Sequence, residues 1–477
     1  MLNCHVHASH AVAHDGGDLR RTLLLEFCSI GGPAGGPSMK SRASVRRFLR
    51  ESSLAVVHAQ RPIRLLSALN WPDVVQAEFF RRKERELPRY EYPPLKFDPH
   101  RKIREFHDIR SRLDRCDPLQ RILIETCDSY ILCAKMLQHI GTADFYKYSC
   151  ELYGASNDLF MDGQTTNLEL ARHFDRMLSG FLDFEAGEVP EPRYTAERAA
   201  GMLERRMRRY FKNRKVRVQI SSRLTANAAA GATTIKLKRG KLFTQRAIQQ
   251  LEHHEGYVHV GTTLNGLQQR VLKFLGKGAP RTTKYQEGLA VFSEFMSQSM
   301  DLQRLRSLTD RIIAIELAEQ GADFVDLYHY FLDKGHDMEQ AFDSARRVTR
   351  GGLVQGHAPF TKDICYLDGV IRVWNFVRVA IKLHRPDYVR FLFVGKVALE
   401  DIPVLARNSQ GGLVDPPRYL PDWLRDMHFM AASMSLSAFL NRIQLDAVEQ
   451  YYDQVFRSDF AHPACECGPP ARTPNDE

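Results

Sequence analysis

The sequence predicts a mainly α-helical protein of the α+β class, in which a small sheet lies beside a central helix. Two observations support this class. Apolar residues recur at three- to five-residue spacing through most of the chain, as they do on the buried face of a helix. In contrast, residues 216–220 and 233–238 read as short segments with alternating side chains, which are typical of half-buried strands. The strands therefore fall between two long helical regions.

Both helical regions can be divided by their breaks. In the first region, apolar residues from Ile63 to Phe79 follow helical spacing, and a loop is predicted from Gly154 to Gly163. In the second region, residues 300–350 and 370–455 have the same periodicity. Further helices are predicted over residues 101–115, 117–140, 165–182 and 194–210.

The central region is predicted to run from strand through turn to helix. Residues 228–232 are mostly alanine and predict a turn between the two strands. Thr244 suits the N-cap of the helix that carries His254, because its hydroxyl can accept a backbone N–H bond. Gly261 and the pair Asn265-Gly266 then predict the end of that helix and a turn of the chain.

The chain is predicted to form one domain with a disordered segment at each end. Residues 1–58, with their Gly-Pro run and basic arm, predict an N-terminal extension, in which Met39 is an alternative start. Residues 456–477 predict a disordered tail. The domain, residues 59–455, comprises an N-terminal helical part (59–210), a central part (211–300) and a C-terminal helical part (301–455).

The composition is that of an ordinary globular protein. Of 477 residues, 44% are hydrophobic and 26% are charged, and no apolar run approaches the roughly 18 residues of a membrane-spanning helix. We therefore expect no membrane partner. Nine cysteines without a framework spacing favour a reducing, cytoplasmic compartment. The net charge of +10 and the pI near 9.1 indicate a surface that attracts anions.

The residues that indicate a function lie between His254 and Glu287. Two histidines, His254 and His259, bracket Glu255, and Glu287 follows 28 residues after His259. Zinc in hydrolytic sites binds three His or carboxylate side chains and leaves one position for water. A nearby carboxylate can then accept a proton from water. We predict a Zn²⁺ site with His254, His259 and Glu287 as ligands. Glu255 is the predicted general base.

The spacing of these histidines requires a distorted helix. They form an H-E-x-x-x-H pattern, whereas zinc proteases commonly have H-E-x-x-H. On a regular α-helix, five residues rotate the second histidine roughly 140° away from the first. A π-type turn would bring the two together, and Gly256 lowers the free-energy cost of irregular backbone there. The alternative interpretation is two unrelated histidines, since the chain contains 18.

The same residues resemble a known family. The stretch from His254 to His259, followed by Gln286-Glu287-Gly288-Leu289-Ala290, is similar to the signature of the QEGLA-motif proteins. These proteins include bacterial flavohaemoglobin expression-modulating proteins and the eukaryotic microtubule-associated tyrosine carboxypeptidases. The resemblance extends over about residues 60–440 through further segments: Leu69-Asn70-Trp71-Pro72, Phe79-Phe80, Leu152-Tyr153-Gly154, Asn265-Gly266, Arg347-Val348-Thr349-Arg350-Gly351 and Phe360-Thr361-Lys362-Asp363.

The resemblance implies a fold and an activity. It implies a helical, zincin-like metallopeptidase, with the small sheet next to the HExxxH helix. It also implies that the two motif histidines and Glu287 hold zinc and that Glu255 is the base. We therefore predict a zinc metallocarboxypeptidase, a hydrolase acting on peptide or protein C-termini. The resemblance leaves the substrate open, because bacterial members have no microtubule tyrosine to remove.

Four further residues are candidates for substrate binding. Arg347 and Arg350 lie within about one helical turn, and guanidinium groups bind a carboxylate bidentately. Either arginine, or Lys362, is a candidate to bind the C-terminal carboxylate that a carboxypeptidase must recognise. Tyr366 is a candidate donor to the developing oxyanion. The alternative is a structural set of ion pairs and hydrogen bonds.

Two neighbours of the predicted centre bear on the mechanism. Glu294 shares a helix face with Glu287. A solvent-exposed position is the preferred prediction for it, and a hydrogen bond to a ligand histidine is the alternative. An edge strand of the small sheet can pair with an extended peptide beside the metal, which favours a peptide substrate.

Two other function classes compete with the peptidase. A regulatory or binding protein would keep the fold without the activity, as the name of the bacterial family members suggests. A nucleic-acid binder is suggested by the net charge and by the basic run from Arg205 to Lys212. We expect no nucleic-acid partner, because the sequence contains no recognised nucleic-acid module.

Overall fold

The computed structural model describes residues 42–182, 192–212, 216–222, 224, 226–440 and 444–458. The chain divides into two units, Met1–Val45 and Arg46–Glu477, and the elements below belong to the second unit, apart from residues 42–45. Predictions for residues 1–41, including Met39, and for residues 459–477 lie outside the described residues. The described chain is mainly helical with short strands, which confirms the predicted class.

A helix occupies part of the predicted N-terminal extension. Helix α1, Arg42–Ala59, buries Leu49, Ser53 and Val56 on one face. This spacing is helical, but the surrounding arginines give the segment the composition of a disordered arm. The Ser53 hydroxyl accepts a hydrogen bond from the amide of Phe274 at 2.9 Å, so the helix packs on the domain. The prediction of disorder is wrong for this segment.

The next helices begin at clear capping residues. The carboxylates of Asp98 and Asp117 each accept two backbone N–H bonds, and a proline follows each of them. Proline suits the first helical position, where its missing N–H has no partner to lose. The predicted helices at 101–115, 117–140 and 165–182 are confirmed to within a few residues. This part contains α2 (Leu65–Ala68), α3 (Asp73–Arg81), α4 (Pro99–Ser111), α5 (Pro118–Gln138), α6 (Ala143–Tyr153) and α7 (Asn167–Leu182).

In the described chain, five short strands lie between Arg193 and Thr244, and the sequence predicts two of them. They are, in chain order with one helix, β1 (Arg193–Thr195), α8 (Ala196–Phe211), β2 (Arg217–Ser221), β3 (Ala228–Ala230), β4 (Thr234–Lys238) and β5 (Leu242–Thr244). Strand β4 is central, with β2 parallel on one side and β3 antiparallel on the other. Strands β1 and β5 form a separate antiparallel pair. Strands β2 and β4 confirm the two predicted strands.

Strand β3 replaces a predicted turn. Its three alanines have low strand propensity, so their side chains gave no strand signal. The ladder is made by backbone groups, and Ala228 pairs with Leu237 while Ala230 pairs with Ile235. Strand β3 is an edge strand, and it contacts the helix that carries His254.

Two apolar clusters hold the domain together. One lies between the small sheet and α8, and its fully buried members include Met207, Ile235 and Leu237. The other is aromatic, with Phe79 and Phe324 in an edge-to-face contact at 5.2 Å between ring centroids. Such pairs are favourable beyond the area that they bury. The first cluster also contains Tyr257 and Val260, so it packs against the segment that carries the two motif histidines.

The helix that carries His254 does not end where the sequence predicts. It continues past Gly261 into another helix, because Asn265 and Gly266 serve packing rather than a turn. The Asn265 amide donates to the carbonyls of Phe393 and Tyr419 at 2.7 and 2.9 Å. A side chain at Gly266 would overlap the backbone at Leu275. The predicted helix end is therefore wrong.

The remaining helices complete the domain. Within the described ranges, none is both long and apolar enough to cross a membrane. They are α9 (Gln245–Leu251), a π-helix (Glu252–Val260), α10 (Gly261–Gln268), α11 (Thr283–Met296), α12 (Leu302–Glu319), α13 (Phe324–Asp333), α14 (Met338–Thr349), α15 (Ile364–Lys382), α16 (Pro386–Phe391), α17 (Ile402–Gln410), α18 (Asp422–Arg425), α19 (Met427–Leu440) and α20 (Leu445–Ser458).

Candidate metal centre

The predicted distortion of the histidine helix is present. Thr244 caps α9 by accepting the amide of Ala247 at 3.1 Å, as predicted. The chain then widens into a nine-residue π-helix, Glu252–Val260. Hydrogen bonds from residue i to i+5 define this helix, so His254 and His259 lie on the same side. Their ring centroids are 4.9 Å apart.

Gly256 has a role that the sequence did not indicate. Its backbone is not in the left-handed region, so conformational freedom does not explain the glycine. A Cβ atom at this position would lie 2.5 Å from the sulfur of Met207. Gly256 therefore allows α8 to pack closely behind the π-helix.

Three side chains converge as a metal-binding set. Glu287 Oε2 lies 3.7 Å from His254 Nε2 and 3.4 Å from His259 Nε2. Two ligands of a tetrahedral zinc ion, each at about 2.1 Å from it, are roughly 3.4 Å apart. All three donor atoms lie within 4.8 Å of one another. The residues present therefore fit a small divalent metal with nitrogen and oxygen ligands.

A close helix crossing fixes the position of Glu287. Its neighbour Gly288 lies against Gly369 of α15, and a side chain at either glycine would overlap the opposite helix backbone. The two helices can approach this closely only without Cβ atoms at the crossing. Gly288 thus fixes the distance between α11 and α15, and with it the position of the Glu287 carboxylate.

Glu294 orients one of the histidines. It is fully buried, and its Oε1 lies 2.6 Å from His254 Nδ1. Arg304 donates two hydrogen bonds to this carboxylate, each 3.0 Å long. Burial raises the pKa of Glu294, but Arg304 and His254 outweigh burial and lower it to about 2. The preferred prediction of a solvent-exposed Glu294 is wrong, because α11 packs against the π-helix and Arg304 of α12 reaches the Glu294 carboxylate in the last turn of α11.

Lys362 holds the other oxygen of Glu287. Its Nζ donates to Glu287 Oε1 at 3.1 Å, while Oε2 faces the two imidazoles. Burial raises the pKa of Glu287, but Lys362 and the histidines lower it well below its usual value. The carboxylate is therefore ionised and oriented, as a metal ligand must be.

Glu255 and Lys396 face the same centre. Glu255 is 8% exposed, and among the described residues no side chain forms a hydrogen bond with its carboxylate. Lys396 donates to Gln286 Oε1 at 3.1 Å. Burial lowers the Lys396 pKa to about 8, although Glu287 and Glu255 raise it. The Glu255 carboxylate is thus available to a water molecule, with a cation nearby.

The substrate-binding candidates occupy different environments. Arg347 donates to both oxygens of Asp363, at 2.7 and 2.8 Å. Arg350 is 6% exposed, and its Nε has no hydrogen-bond partner. Tyr366 lies between this region and the metal centre, since the Lys362 ammonium is 5.3 Å from its ring centroid.

Sequence reasoning missed three residues at this site. Arg304 approaches from α12 through Glu294, Arg311 of the same helix lies 5.3 Å from the ring centroid of Tyr366, and Lys396 precedes α17. Each lies outside the motif helices. No local pattern marks them, because a basic residue in a helix or loop is usually solvated.

Comparisons with known proteins cover most of the chain. Residues 77–442, about three quarters of the sequence, match the family described as microtubule-associated tyrosine carboxypeptidase. No curated protein gives a significant match. Among solved structures, the crystal structure of a predicted lipoprotein from Colwellia psychrerythraea is similar, at 14% identity and a TM-score of 0.40. That similarity covers 77% of this chain and 75% of the other.

Proposed function

The chain belongs to the microtubule-associated tyrosine carboxypeptidase family, and from this premise we propose that it is a zinc-dependent carboxypeptidase acting on peptide or protein C-termini. The observation that carries the proposal is the buried convergence of His254, His259 and Glu287 within 4.8 Å. Glu255 lies beside them, and none of the described side chains forms a hydrogen bond with its carboxylate. The predicted relation to the tyrosine carboxypeptidases is confirmed by the family match.

Zinc is the proposed metal because of the donor set. Two imidazoles and one carboxylate are the ligands of many hydrolytic zinc sites, which keep a fourth position open. When bound, zinc supplies a Lewis acid that polarises a carbonyl and makes water more acidic. Glu294 would fix the tautomer of His254, and Lys362 would keep Glu287 monodentate. The zincin-like arrangement of the HExxxH helix beside a small sheet is part of this proposal.

Glu255 is the proposed general base and acid. Its carboxylate would accept a proton from the water that attacks the scissile carbonyl. It would then return that proton to the amine that leaves when the C–N bond breaks. Burial beside Lys396 keeps bulk water away from the proton during this transfer.

The substrate is proposed to be an extended peptide. Edge strand β3 lies against the π-helix, and an exposed strand edge can pair with a peptide backbone. Of the basic candidates, Lys362 is engaged by Glu287 and Arg347 by Asp363. Arg350 is therefore the preferred candidate for the C-terminal carboxylate. Tyr366 is the proposed donor to the oxyanion.

The proposed location is the cytoplasm, on the basis of the cysteines. Nine cysteines without a framework spacing are typical of a reducing compartment. Five of them, all free, lie in the described chain: Cys116, Cys127, Cys133, Cys150 and Cys365.

A peptide-library digest with C-terminal readout tests the proposal. The zinc-loaded protein should shorten peptides from the C-terminus, and a chelator should stop this. Glu255→Gln should keep the zinc and lose turnover by about 10²- to 10⁴-fold, because only the proton transfer is removed. Glu287→Ala should instead lose zinc.

Two results would count against the proposal. Undiminished hydrolysis by Glu255→Gln would remove that residue from its role. Stoichiometric zinc without cleavage of any library peptide would favour the alternative, a regulatory or binding protein that retains the fold.

A further inference from the structure

The π-helix carries a second pair of side chains at the spacing of its two histidines. Glu252 and Tyr257 are five residues apart, and the Tyr257 hydroxyl donates a hydrogen bond to Glu252 Oε1. His254 and His259 have the same separation. On a regular α-helix, five residues would place two side chains roughly 140° apart. The bond between Glu252 and Tyr257 therefore fits the wide helix and not a regular α-helix of the same residues.

Arg206 of α8 completes this pair from outside the helix. Its Nη1 donates to Glu252 Oε2 at 2.6 Å, so each oxygen of that carboxylate accepts one hydrogen bond. The Glu252 side chain is 13% exposed, and Tyr257 is 7% exposed as a residue. A hydrogen bond to a charged group is stronger than one between neutral groups, and more so away from water. The carboxylate is thus held in place with little competition from solvent.

The Tyr257 ring is also fixed by its neighbours. The ring of Tyr210 on α8 lies 4.2 Å from it between centroids, and that of His253 meets it edge-to-face at 4.9 Å. Close by, Met207 of α8 lies against Gly256 of the π-helix. Side chains packed at this density have little room to reorient. The Tyr257 hydroxyl therefore stays directed at the carboxylate.

Two faces of the π-helix have separate supports. Helices α8 and α11 both contact it. On the face toward α11, Glu294 bonds the His254 imidazole and orients one ligand. On the face toward α8, the bond between Glu252 and Tyr257 joins two points of the helix itself. The second support therefore acts on the width of the turn that carries the histidines.

The width of this turn determines how readily a metal can bind. π-Helices are rare and usually short, so a nine-residue example requires stabilising contacts. A bound metal would itself favour the wide form, but its apparent affinity falls with the fraction of protein already in that form. A side-chain bond made only in the wide form raises this fraction before the metal binds.

We propose that Glu252, Tyr257 and Arg206 form a staple that holds this helix in its wide form. The staple positions His254 and His259 for the metal without contacting it, because both oxygens of Glu252 are already engaged. The three are positioning residues and not ligands. The inference rests on the proposed function and gives a role to Glu252 and Tyr257, which no motif indicated.

Tyrosine-to-phenylalanine substitutions test the staple, because each removes one hydroxyl. Tyr257→Phe loses the bond to Glu252. Tyr210→Phe is the first control: its ring contacts Tyr257, but its buried hydroxyl has no hydrogen-bond partner among the described residues. Tyr130→Phe is the second control, because its hydroxyl donates to the carbonyl of Gly278 at 3.1 Å, outside the π-helix. Circular dichroism should show all three variants folded.

Two measurements on the full-length protein report the staple. In the metal-free protein, hydrogen exchange of peptides covering residues 252–260 should be faster in Tyr257→Phe than in wild type and unchanged in both controls. In a titration followed by visible absorption, Co²⁺ should bind Tyr257→Phe about tenfold or more weakly, because a bond to a charged group is lost from the wide form only. Both controls should bind Co²⁺ as wild type does.

A double variant assigns the effect to the bond. Glu252→Ala removes the acceptor of the Tyr257 hydroxyl, so adding Tyr257→Phe to it should cause no further loss of Co²⁺ affinity. Two losses that instead add up would show that the residues act separately, and would overturn the staple.

The outcomes separate the staple from the metal centre. Unchanged Co²⁺ affinity in Tyr257→Phe overturns the staple and leaves the centre in place. An equal loss of affinity in Tyr210→Phe or Tyr130→Phe also overturns it, because a general loss of packing or stability would then account for the result. If the wild type binds no Co²⁺, the metal centre fails. Hydrogen exchange of residues 252–260 then decides by itself whether the staple holds the helix.

Discussion

The metal centre and a group of three arginines, Arg311, Arg347 and Arg350 (the arginine cluster), differ in how their buried charges are paired. At the centre, Glu294 is fully paired with His254 and Arg304. In the cluster, Asp363 is the single carboxylate bonded to the arginines, and Arg350 has no acceptor among the described residues. A fully paired network is pre-organised and rigid. A buried charge without a partner is instead unfavourable, so the two regions predict different responses to substitution.

Asp363→Asn should have the largest effect on this comparison. It removes the carboxylate that pairs with Arg347 and lies 3.8 Å from Arg311, and breaking a buried ion pair costs about 3–5 kcal/mol of unfolding free energy. Urea denaturation measures the loss. Asp387→Asn is the control, because Asp387 makes a similar bidentate pair with Arg385 at the surface and should change stability by at most about 1 kcal/mol. Equal losses of unfolding free energy at both positions would show that the buried arginines do not depend on Asp363 for their stability.

Asp310, which precedes Arg311 on α12, is a buried carboxylate without a close cation among the described residues. Asp310 is 1% exposed, with Lys334 and Arg306 only at 3.8 and 3.9 Å. Burial outweighs these cations and raises the Asp310 pKa to about 6. The folded state therefore binds more protons than the unfolded state between about pH 4 and 6. This group contributes a loss of stability as pH rises through that window, by about 3 kcal/mol.

Asp310→Asn should remove that slope. Relative to wild type, the variant should gain stability as pH rises from 4 to 7, measured by urea denaturation at each pH. The pH dependence from Asp363 has the opposite sign. Burial raises the Asp363 pKa, but Arg347 and Arg311 outweigh burial and lower the pKa below its usual value. Its contribution is present above pH 4 and is lost as the pH falls below its usual pKa. Parallel pH curves for wild type and Asp310→Asn would contradict the assignment.

Gly288→Ala tests what couples the two regions. The new methyl group would overlap Gly369, so α11 and α15 must separate and move Glu287 away from Tyr366. Overpacking of this kind costs about 1–3 kcal/mol. We expect lower thermal stability and weaker zinc binding together. Gly180→Ala is the control, since nothing lies within 4 Å of its added Cβ, and it should stabilise α7 slightly.

Glu294→Gln should weaken zinc binding. It keeps the shape but loses the charge that orients His254, and such outer hydrogen bonds are worth about 10- to 100-fold in metal affinity. Competition with a chelator measures the zinc dissociation constant. Glu316→Gln is the control, because Glu316 of α12 is likewise buried but pairs with Arg172 rather than with a predicted metal ligand. Unchanged zinc affinity in Glu294→Gln would show that His254 is oriented by other contacts.

The sequence by itself predicted the parts that depend on local pattern. The spacing of His254 and His259 predicted a π-type distortion, and the structure has a π-helix there. In a π-helix, residues five apart lie on the same side. Alternation predicted β2 and β4, and a hydroxyl at Thr244 predicted a cap. These features follow from periodicity and from bonds between residues a few positions apart.

Only the tertiary structure decided which polar residues are buried and what they meet. Asn265 and Gly266 read as a turn, yet contacts with Phe393 and Leu275 keep them helical. Glu294 was expected at the surface, yet it is fully buried and bonded to His254 and Arg304. Burial depends on elements far apart in the chain. The physical reason is that desolvation and charge pairing are properties of the packed site, which no local spacing encodes.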